Sequence, residues 1–362
     1  MNRINVGFVI TYLNKGGPSK VLINLIKNMD RKKYNIFLFI LLNKNNKEKI
    51  DELKNQNVKV IELNNSNYFE VIWNCKTQFK KLIKEYSIEV LNSHGILSDI
   101  ISANLKVKNI ATIHNNMIED YINKHGKSIG SIMIKLHLHY LKKFNRVIGC
   151  SKNVADNLSK KLDNVDYIRN GTENIDTEPN ELRSQYSIKL NDKVFVYTGH
   201  ISQEKRVLEL VKAFTKYHLE DEFLIIVGDG EELSACKKNA DRHIIFTGWQ
   251  DNPNKYLVNG DIYISASKSE GFSMAVLDAL NFGMGMFLSD IPSHREIYDI
   301  YSNVYIGEYF TFENFKLKLA ELRKNYNKIN KQQIITTKKD RLSSESMTKK
   351  YEQLINRLCN ER

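Results

Sequence analysis

The sequence predicts an α/β protein made of two domains, each built on a parallel β-sheet that is covered by helices. The chain has 362 residues, which is enough for two domains of ordinary size. In the first half, short apolar runs alternate with segments of helical periodicity, a rhythm typical of parallel strands joined by helical crossovers. A strand, a glycine turn and a helix follow one another again early in the second half. Ligands of such sheets bind outside the carboxyl ends of the strands, so we expect the functional residues there.

Seven strands and six helices are predicted in the first half. The first strand, 4–10, is followed by Gly16, Gly17 and Pro18 and then by a helix at 19–29. Pro18 suits a first helical turn because the N–H that it lacks has no helical partner there. A Gly-Gly turn at such a junction lets the backbone approach a phosphate or a sugar. The other predicted strands are 36–42, 58–63, 90–92, 110–113, 146–149 and 166–168, and the other predicted helices are 47–56, 68–86, 97–105, 128–144 and 153–161.

The second half is predicted to follow a polar hinge at 173–180, which contains Pro179. A strand begins at Val194 and ends in a turn at Gly199, after which a helix is expected. The predicted domains are 1–170 and 171–345, with 346–362 as a C-terminal helix. The remaining predicted strands are 223–227, 244–248, 261–264 and 286–289, the last of them an inner strand, and the remaining predicted helices are 273–283, 312–325 and 346–358.

The stretch 265–283 carries the strongest candidate site. A serine-rich turn closed by Glu270 and Gly271 leads from a buried strand into a helix that begins near Ser273. The turn therefore aims backbone N–H groups and the positive end of the helix at one spot, which suits a diphosphate, and Glu270 can hold sugar hydroxyls beside it. Asp278 lies two turns further on, on a similar face of the helix. The competing interpretation is an ordinary strand-turn-helix unit with two solvated acids.

Two histidines follow neighbouring strands of the first half. His94 ends the run Ser93-His94-Gly95, and His114 lies in a polar segment that begins at Thr112. A single histidine after a strand is more often structural than catalytic, but two at equivalent strand ends favour a functional role.

The positive charge is concentrated in the first half. Residues 1–170 contain 28 Lys and Arg against 14 Asp and Glu, whereas residues 171–362 contain 26 against 28. No nucleic-acid recognition motif accompanies this charge, so we expect an anionic membrane surface as the partner, with a solvated basic face as the alternative. The amphipathic segment 131–144 either packs one face into the core or inserts its basic edge into a membrane interface.

The bulk properties predict a cytoplasmic protein. Residues 1–11 lack the apolar core and cleavage site of a signal peptide, and the longest apolar run, 36–42, is too short to span a bilayer. The cysteines at 75, 150, 236 and 359 have neither metal-ligand nor redox spacing, so reduced thiols are expected.

Residues 265–296 resemble the signature of the retaining enzymes of glycosyltransferase family 4. The resemblance rests on Glu270 and Asp278 with seven residues between them, followed by Gly283 and the segment 289–296. The family usually has Glu at both ends of the spacing, whereas the second acid here is Asp. The similarity extends from Gly16 to the last helix. It implies the GT-B fold, two Rossmann-like domains facing each other across a cleft, with the last helix crossing back onto the first domain.

The resemblance also implies roles for individual residues. Glu270 would hold hydroxyls of the donor sugar, Asp278 would bind the ribose, and Lys205 would neutralise the diphosphate. His200 stands where the family usually has Arg, so one permanent cation is replaced by a titrating group. On the first domain, His114 would lie near the reacting carbon and His94 on the acceptor side. Catalysis is assigned to Glu270, Lys205 and His114, and donor binding to Gly16, Gly17, His200, Lys205, Thr247, Gly248, Glu270, Phe272, Ser273, Met274 and Asp278.

The implied reaction is the transfer of a hexosyl group, with retention, from a UDP-linked sugar to a saccharide or lipid-linked acceptor in the biosynthesis of surface polysaccharide. The sequence contains no Asp-x-Asp pair, so metal independence is expected, and no cofactor is expected besides the donor. The enzyme is expected on the inner face of the plasma membrane. Two alternatives stay open: a sugar-nucleotide epimerase of the same fold, and a non-catalytic partner or nucleotide-binding subunit, which His200 and Asp278 favour.

Overall fold

The computed structural model describes residues 3–43, 45–72, 76–175, 177–179 and 181–361. Cys75 and two positions of the predicted hinge, 176 and 180, lie outside the described residues. The chain forms two compact units. The first contains the residues up to Glu173 together with those from Ser344 onward, and the second is Asn174–Ser343.

The first unit is a parallel sheet with helical crossovers. Its elements are β1 (Ile4–Ile10), α1 (Gly17–Asn28), β2 (Tyr34–Leu42), α2 (Lys47–Asn55), β3 (Lys59–Asn65), α3 (Tyr68–Glu70), α4 (Lys76–Glu85), β4 (Val90–His94), α5 (Ile96–Ser102), β5 (Lys108–Ile113), α6 (Met117–Leu141), β6 (Arg146–Gly149), α7 (Lys152–Ser159), β7 (Val165–Tyr167) and α16 (Ser344–Asn360). The strand order is β3-β2-β1-β4-β5-β6-β7. The chain adds strands first on one side of β1 and then, from β4, on the other, so the order reverses between β1 and β4.

The second unit repeats this plan with six parallel strands. Its elements are α8 (Leu182–Gln185), β8 (Lys193–Thr198), α9 (Val207–Tyr217), β9 (Glu222–Val227), α10 (Leu233–Lys238), β10 (Ile244–Gly248), α11 (Asn254–Leu257), β11 (Ile262–Ser265), α12 (Met274–Leu280), β12 (Gly285–Ser289), α13 (Pro292–Ile300), β13 (Gly307–Phe310), α14 (Phe315–Lys324) and α15 (Lys331–Leu342), with a short 3₁₀ turn at Tyr326–Lys328. The strand order is β10-β9-β8-β11-β12-β13, and it reverses between β8 and β11.

The central strands of each sheet are buried on both faces, as continuous apolar strands predict. In the second unit Phe287, Phe310 and Phe315 pack together with ring centroids 4.5–5.2 Å apart. In the first unit Phe39 of β2 meets Phe79 of α4 edge to face at 5.1 Å. These contacts fix the helices against the sheets and thereby the loops at the strand ends.

The C-terminal helix α16 packs on the rest of the first unit. The Tyr351 side chain is buried, with its hydroxyl 3.2 Å from Thr112 Oγ1. Tyr34 donates from its hydroxyl to Asn356 Oδ1 at 2.9 Å, and Asp30 N–H donates to Glu352 at 2.8 Å. The segment that precedes the second unit and the helix α16 that follows it therefore share one core.

A buried polar chain joins β4, α5 and α6. Ser93 Oγ donates to Asp99 Oδ1 at 2.5 Å, and the other Asp99 oxygen lies 2.8 Å from His137 Nε2. His137 Nδ1 is in turn 2.8 Å from the Tyr121 hydroxyl. Because every member is hydrogen-bonded, the chain fixes the position of α6 relative to the end of β4.

The α/β class and all the predicted strands are confirmed, with boundaries shifted by up to two residues. One helix prediction was wrong in extent. The helix predicted at 128–144 is α6, which already begins at Met117 and is broken by Gly126 in the left-handed region (φ 74°). The segment predicted as one helix at 68–86 contains α3 and α4, and residues 73–75 between them lie outside the described residues. The edge strand β13 and the helices α8, α10, α11, α13 and α15 were not predicted. No helix among the described residues is both long and apolar enough to cross a bilayer.

Candidate active site

An ion pair lies at the strand-order reversal of the second unit. The loop after β8 carries Lys205, and the loop after β11 carries Glu270; because β8 and β11 are adjacent parallel strands, both loops leave the same edge of the sheet. Lys205 Nζ is 2.7 Å from Glu270 Oε1, and Ser267 Oγ donates to the same oxygen at 2.8 Å. The two charged side chains remain 26% and 14% exposed, so a ligand can reach them.

The surroundings of Glu270 keep it ionised. Burial alone would raise the pKa of its carboxyl group, but the Lys205 ammonium, the hydrogen bond to it and the Ser267 hydroxyl bring this pKa below its ordinary value. At neutral pH the site therefore presents a carboxylate and an ammonium side by side, ready to bind hydroxyls and an anion respectively.

His294, which the sequence analysis did not assign, belongs to this site. It lies in the first turn of α13, and its Nδ1 is 2.8 Å from the Ser289 carbonyl oxygen, to which it donates. Its Nε2 is buried and has no hydrogen-bond partner among the described residues. Burial lowers the pKa of His294 below its ordinary value although the Glu270 carboxylate opposes this, so the imidazole is neutral. The sequence signal was its place directly after β12, within the segment 289–296.

The helix α12 begins where the sequence predicted an anion site. Ser273 is the N-cap residue, and its side chain makes no capping hydrogen bond. Phe272 is buried, whereas Ser273 and Met274 are half-buried. The N–H groups of the first turn have no partner within a helix. Asp278, in the second turn, is only 6% exposed. A ribose could contact its carboxylate, as predicted, only if the residues that cover it moved.

The loops after β8, β9 and β10 are packed tightly together. A Cβ at Gly228, whose φ is 150°, would lie 1.8 Å from the Gly199 carbonyl oxygen, so only glycine fits there. His200 Nε2 lies 2.9 Å from Glu231 Oε2, and both side chains are 62% exposed. The predicted diphosphate contact of His200 therefore competes with Glu231.

Thr247 and Gly248 end the edge strand β10. The Thr247 hydroxyl donates to the Gly248 carbonyl oxygen at 3.1 Å, and the Gly228 N–H donates to the same oxygen at 2.9 Å. The backbone that the resemblance assigns to donor binding is thus held by the neighbouring loop.

A pair of histidines lies at the carboxyl edge of the first sheet. His94 Nδ1 is 2.8 Å from His114 Nε2, and the rings stack with centroids 5.0 Å apart. Burial lowers the pKa of His114 to about 4, and burial together with the neighbouring His114 lowers the pKa of His94 well below its ordinary value. Both imidazoles are therefore neutral. The outer nitrogens, His94 Nε2 and His114 Nδ1, are buried without a hydrogen-bond partner among the described residues.

The Gly16-Gly17 turn lies on the neighbouring loop, after β1. Asn14 holds it, since Asn14 Oδ1 accepts from Gly16 N–H at 2.9 Å and from Ser19 Oγ at 3.0 Å. Gly16 has an ordinary φ of −76°, so the turn does not require glycine for its backbone angles. The benefit of glycine here is an unobstructed backbone at the start of α1.

The sequence profile of "Glycosyltransferase Family 4" matches residues 15–174, and that of "Glycosyl transferases group 1" matches residues 179–340. The chain belongs to glycosyltransferase family 4. Over 99% of both chains it is 25% identical to the O-antigen biosynthesis glycosyltransferase WclY of Escherichia coli. The solved structure of Anabaena Alr3699/HepE in complex with UDP and glucose has the same fold: it is 12% identical and superposes with a TM-score of 0.81 over 98% of this chain and 100% of that one.

A further relative shares a shorter stretch. The UDP-Gal:alpha-D-GlcNAc-diphosphoundecaprenol alpha-1,3-galactosyltransferase of Escherichia coli is 28% identical over 30% of each chain. Together with the whole-chain similarity, this makes the protein a glycosyltransferase.

Proposed function

We propose that this glycosyltransferase moves a hexosyl group, with retention at the anomeric carbon, from a UDP-linked sugar to a saccharide or lipid-linked acceptor in the biosynthesis of surface polysaccharide. The observation that carries the proposal is the Lys205–Glu270 ion pair at 2.7 Å, at the strand-order reversal of the second sheet. This is the position where ligands bind in open α/β sheets.

The ion pair supplies the two functions that a nucleotide sugar needs. The Lys205 ammonium would exchange its contact with Glu270 for an oxygen of the diphosphate, and the released carboxylate would accept hydrogen bonds from sugar hydroxyls. The bond between the anomeric carbon and the diphosphate oxygen breaks, and the electron pair leaves with UDP. The acceptor oxygen bonds to the same face of that carbon, and its proton passes to the departing diphosphate. Lys205 then stabilises the charge that develops on the leaving group.

The histidine pair of the first sheet suits the neutral partners of this reaction. Two uncharged imidazoles linked by one hydrogen bond at 2.8 Å leave one donor or acceptor nitrogen at each outer end. Such nitrogens bind hydroxyl groups without attracting a competing phosphate. We assign His114 to the donor sugar and His94 to the acceptor hydroxyl.

The names of two relatives support the proposed acceptor class. One carries diphosphoundecaprenol in its name, and WclY is named for O-antigen biosynthesis. A lipid-linked acceptor requires the enzyme to work at a bilayer surface. We also propose that Lys205, and no metal ion, neutralises the charge of the diphosphate.

Helix α6 offers a surface for that bilayer. Ile129, Ile132 and Leu136 are spaced by three and four residues, so they share one face, and they are 59%, 67% and 44% exposed. Exposed Lys127 and Lys135 flank them on the same helix. An apolar face bordered by lysines, in a unit with a strong positive excess, is the pattern of a helix that lies in the interface of an anionic membrane.

A donor screen followed by an acceptor assay tests the transfer. Purified protein is mixed with each of several UDP-sugars, and stabilisation against heat identifies the donor. That donor is then incubated with diphosphopolyprenol-linked saccharides in the presence of EDTA. We expect transfer of one sugar with retention, observed by NMR of the new anomeric proton. Inverted product, or activity that EDTA abolishes, would contradict the mechanism.

The same assay separates the alternatives. Donor binding without any transfer favours a non-catalytic partner, which the buried Asp278 and the His200–Glu231 pair would explain. Conversion of the free UDP-sugar without acceptor indicates an epimerase.

Membrane attachment is tested by co-sedimentation with vesicles. We expect binding to vesicles that contain phosphatidylglycerol and little binding to pure phosphatidylcholine, and salt should weaken it. Ile132→Ser should reduce binding several-fold, whereas Leu317→Ser, at an exposed leucine of α14 in the second unit, should not. Equal binding of both variants would remove α6 from the proposal.

A further inference from the structure

A cluster of two histidines and an aspartate lies at the opposite edge of the second sheet from Lys205 and Glu270. His218 directly follows α9, and Asp241 and His243 directly precede β10. These positions lead into the amino ends of β9 and β10, whereas the candidate active site follows carboxyl ends. One ligand atom of each residue lies within 4.8 Å of those of the other two.

The hydrogen bonds of His218 leave the correct nitrogen for a metal. Its Nδ1 is 2.8 Å from the Leu219 carbonyl oxygen, so Nδ1–H donates to that carbonyl. The other nitrogen, Nε2, faces Asp241 Oδ2 at 2.7 Å and shares a proton with it, so Nε2 can bind a metal ion when that proton is released. Metal-bound histidines characteristically donate their other N–H to a carbonyl or carboxylate, which fixes the ring and the tautomer.

His243 supplies an independent observation. The residue is only 4% exposed, and its Nδ1 is buried without a hydrogen-bond partner among the described residues. This nitrogen lies 3.7 Å from Asp241 Oδ1, too far for a hydrogen bond. A buried unpartnered nitrogen is unfavourable, and a cation next to the carboxylate would satisfy it.

We propose that His218, Asp241 and His243 form a binding site for a divalent transition-metal ion such as Zn²⁺. Two imidazoles and a carboxylate are ligands that zinc accepts, with water as the fourth. Ligand atoms of a tetrahedral zinc site lie about 3.3 Å apart, given bonds of about 2.0–2.1 Å. His218 Nε2 lies 2.7 Å from Asp241 Oδ2, His243 Nδ1 lies 3.7 Å from Asp241 Oδ1, and the ligand atoms of the three residues lie within 4.8 Å of one another, so side-chain rotations are needed to reach that spacing.

The site has a structural role. The ion would connect the end of α9 to the segment that enters the edge strand β10, and it would replace the proton between His218 and Asp241. Since the strands of the sheet separate it from the Lys205–Glu270 pair, its occupancy should change stability and leave glycosyl transfer unchanged. Chelation therefore tests this site and the metal-free mechanism by different readouts.

The experiment uses untagged full-length protein that has been treated with EDTA and dialysed. Co²⁺ is titrated while the visible absorption typical of tetrahedral coordination is recorded, and Zn²⁺ is titrated by calorimetry. We expect a single equivalent of metal to bind and the melting temperature to rise by about 5 °C at a free zinc concentration roughly one hundred times the dissociation constant.

Variants locate the ion. His218→Gln and Asp241→Asn should each weaken binding at least about tenfold, because metal sites lose affinity steeply when a ligand is removed. His125→Gln, at an exposed histidine of α6 in the first unit, is the matched control and should bind as the unmodified chain does. His243 is buried, so the folding of the His243→Gln variant is checked by circular dichroism before titration.

Absence of a cobalt spectrum together with an unchanged melting temperature would overturn the proposal. So would binding that His218→Gln and Asp241→Asn leave intact, since the ion would then lie elsewhere. A loss of glycosyl transfer on chelation that zinc restores would contradict the structural role assigned to the site.

Discussion

The two sheets carry side chains of different charge at equivalent positions. Both reverse their strand order next to the first strand of the unit, between β1 and β4 and between β8 and β11. The first edge carries the neutral pair His94–His114, whereas the second carries the charged pair Lys205–Glu270. Topology therefore determines where polar side chains gather, and the residue types decide what they can bind: hydroxyl groups at the first edge, an anion and hydroxyl groups at the second.

Removing the Glu270 carboxylate should have the largest effect, because it takes away the negative charge that distinguishes the second edge from the first. Glu270→Gln keeps the shape of the side chain but not its charge, and we expect kcat to fall by about 10²–10³-fold or more, because the sugar loses its charged acceptor. Single-turnover transfer at saturating donor measures the effect. Glu204→Gln, at an exposed acid of the β8–α9 loop, is the control and should stay near the unmodified rate. A similar rate for both variants would exclude Glu270 from catalysis.

Lys205→Ala tests the cationic half of the pair. We expect a loss of about 2–4 kcal/mol of transition-state stabilisation, as for the removal of an oxyanion donor. kcat/KM for donor and acceptor reports it, and Lys205→Arg should recover part of the loss. Glu270 in Lys205→Ala would lack its main positive neighbour, so its carboxyl group should also titrate at higher pH. Full activity in the alanine variant would leave the diphosphate without its proposed partner.

The two edges should also differ in their response to acid. The pKa of His114 in the folded chain, about 4, lies below its ordinary value near 6.5, so the unfolded chain binds the proton first. Folding stability is therefore complete above that ordinary value and is lost as the pH falls towards 4. Glu270 also has a lowered pKa, but its stabilisation disappears only below the ordinary glutamate value of about 4.3–4.5.

Urea denaturation between about pH 7 and pH 4 measures this difference. His114→Gln should flatten the fall in unfolding free energy by on the order of 2 kcal/mol, while Glu270→Gln should leave this range nearly unchanged. Identical slopes for the unmodified chain and His114→Gln would mean that the histidine pair is not buried neutral.

The smallest expected effect concerns His200. If its imidazole contacts the diphosphate, His200→Arg, which supplies a permanent cation, should tighten donor binding severalfold. Glu231→Gln, which removes the competing carboxylate, should also tighten donor binding. Calorimetric titration with the donor measures both affinities, and unchanged donor affinity in both variants would exclude His200 from the diphosphate site.

Every strand except β13 could be predicted, because each is an apolar run that ends in a polar turn. The sequence also places Lys205, Glu270, His94 and His114 at strand ends, but it does not give their contacts, because partners after different strands are joined only by the order of strands in the sheet. His294 was missed since its role depends on burial beside Glu270. The edge strand β13, with sequence Gly-Glu-Tyr-Phe, is too short and polar to resemble a buried strand.

Asp278 shows a limit of a different kind. From the sequence, a shorter acid in place of the family's Glu predicts that Asp278→Glu restores a stretched contact. In the structure the residue is 6% exposed, so an added methylene must be accommodated in a packed interior. Helical periodicity gives the face of a residue but not the depth at which that face is covered.

The path of the chain has a consequence for synthesis. The second unit is a continuous segment inserted between Glu173 and Ser344, and the backbone N–H of Ser344 donates to the Thr172 carbonyl oxygen at 2.9 Å, so the chain returns to the point it left. On the ribosome the first sheet is complete long before α16 exists, and the surface around Tyr34 and Thr112 stays uncovered until α16 emerges. The first unit therefore begins to form before the second unit and is completed after it.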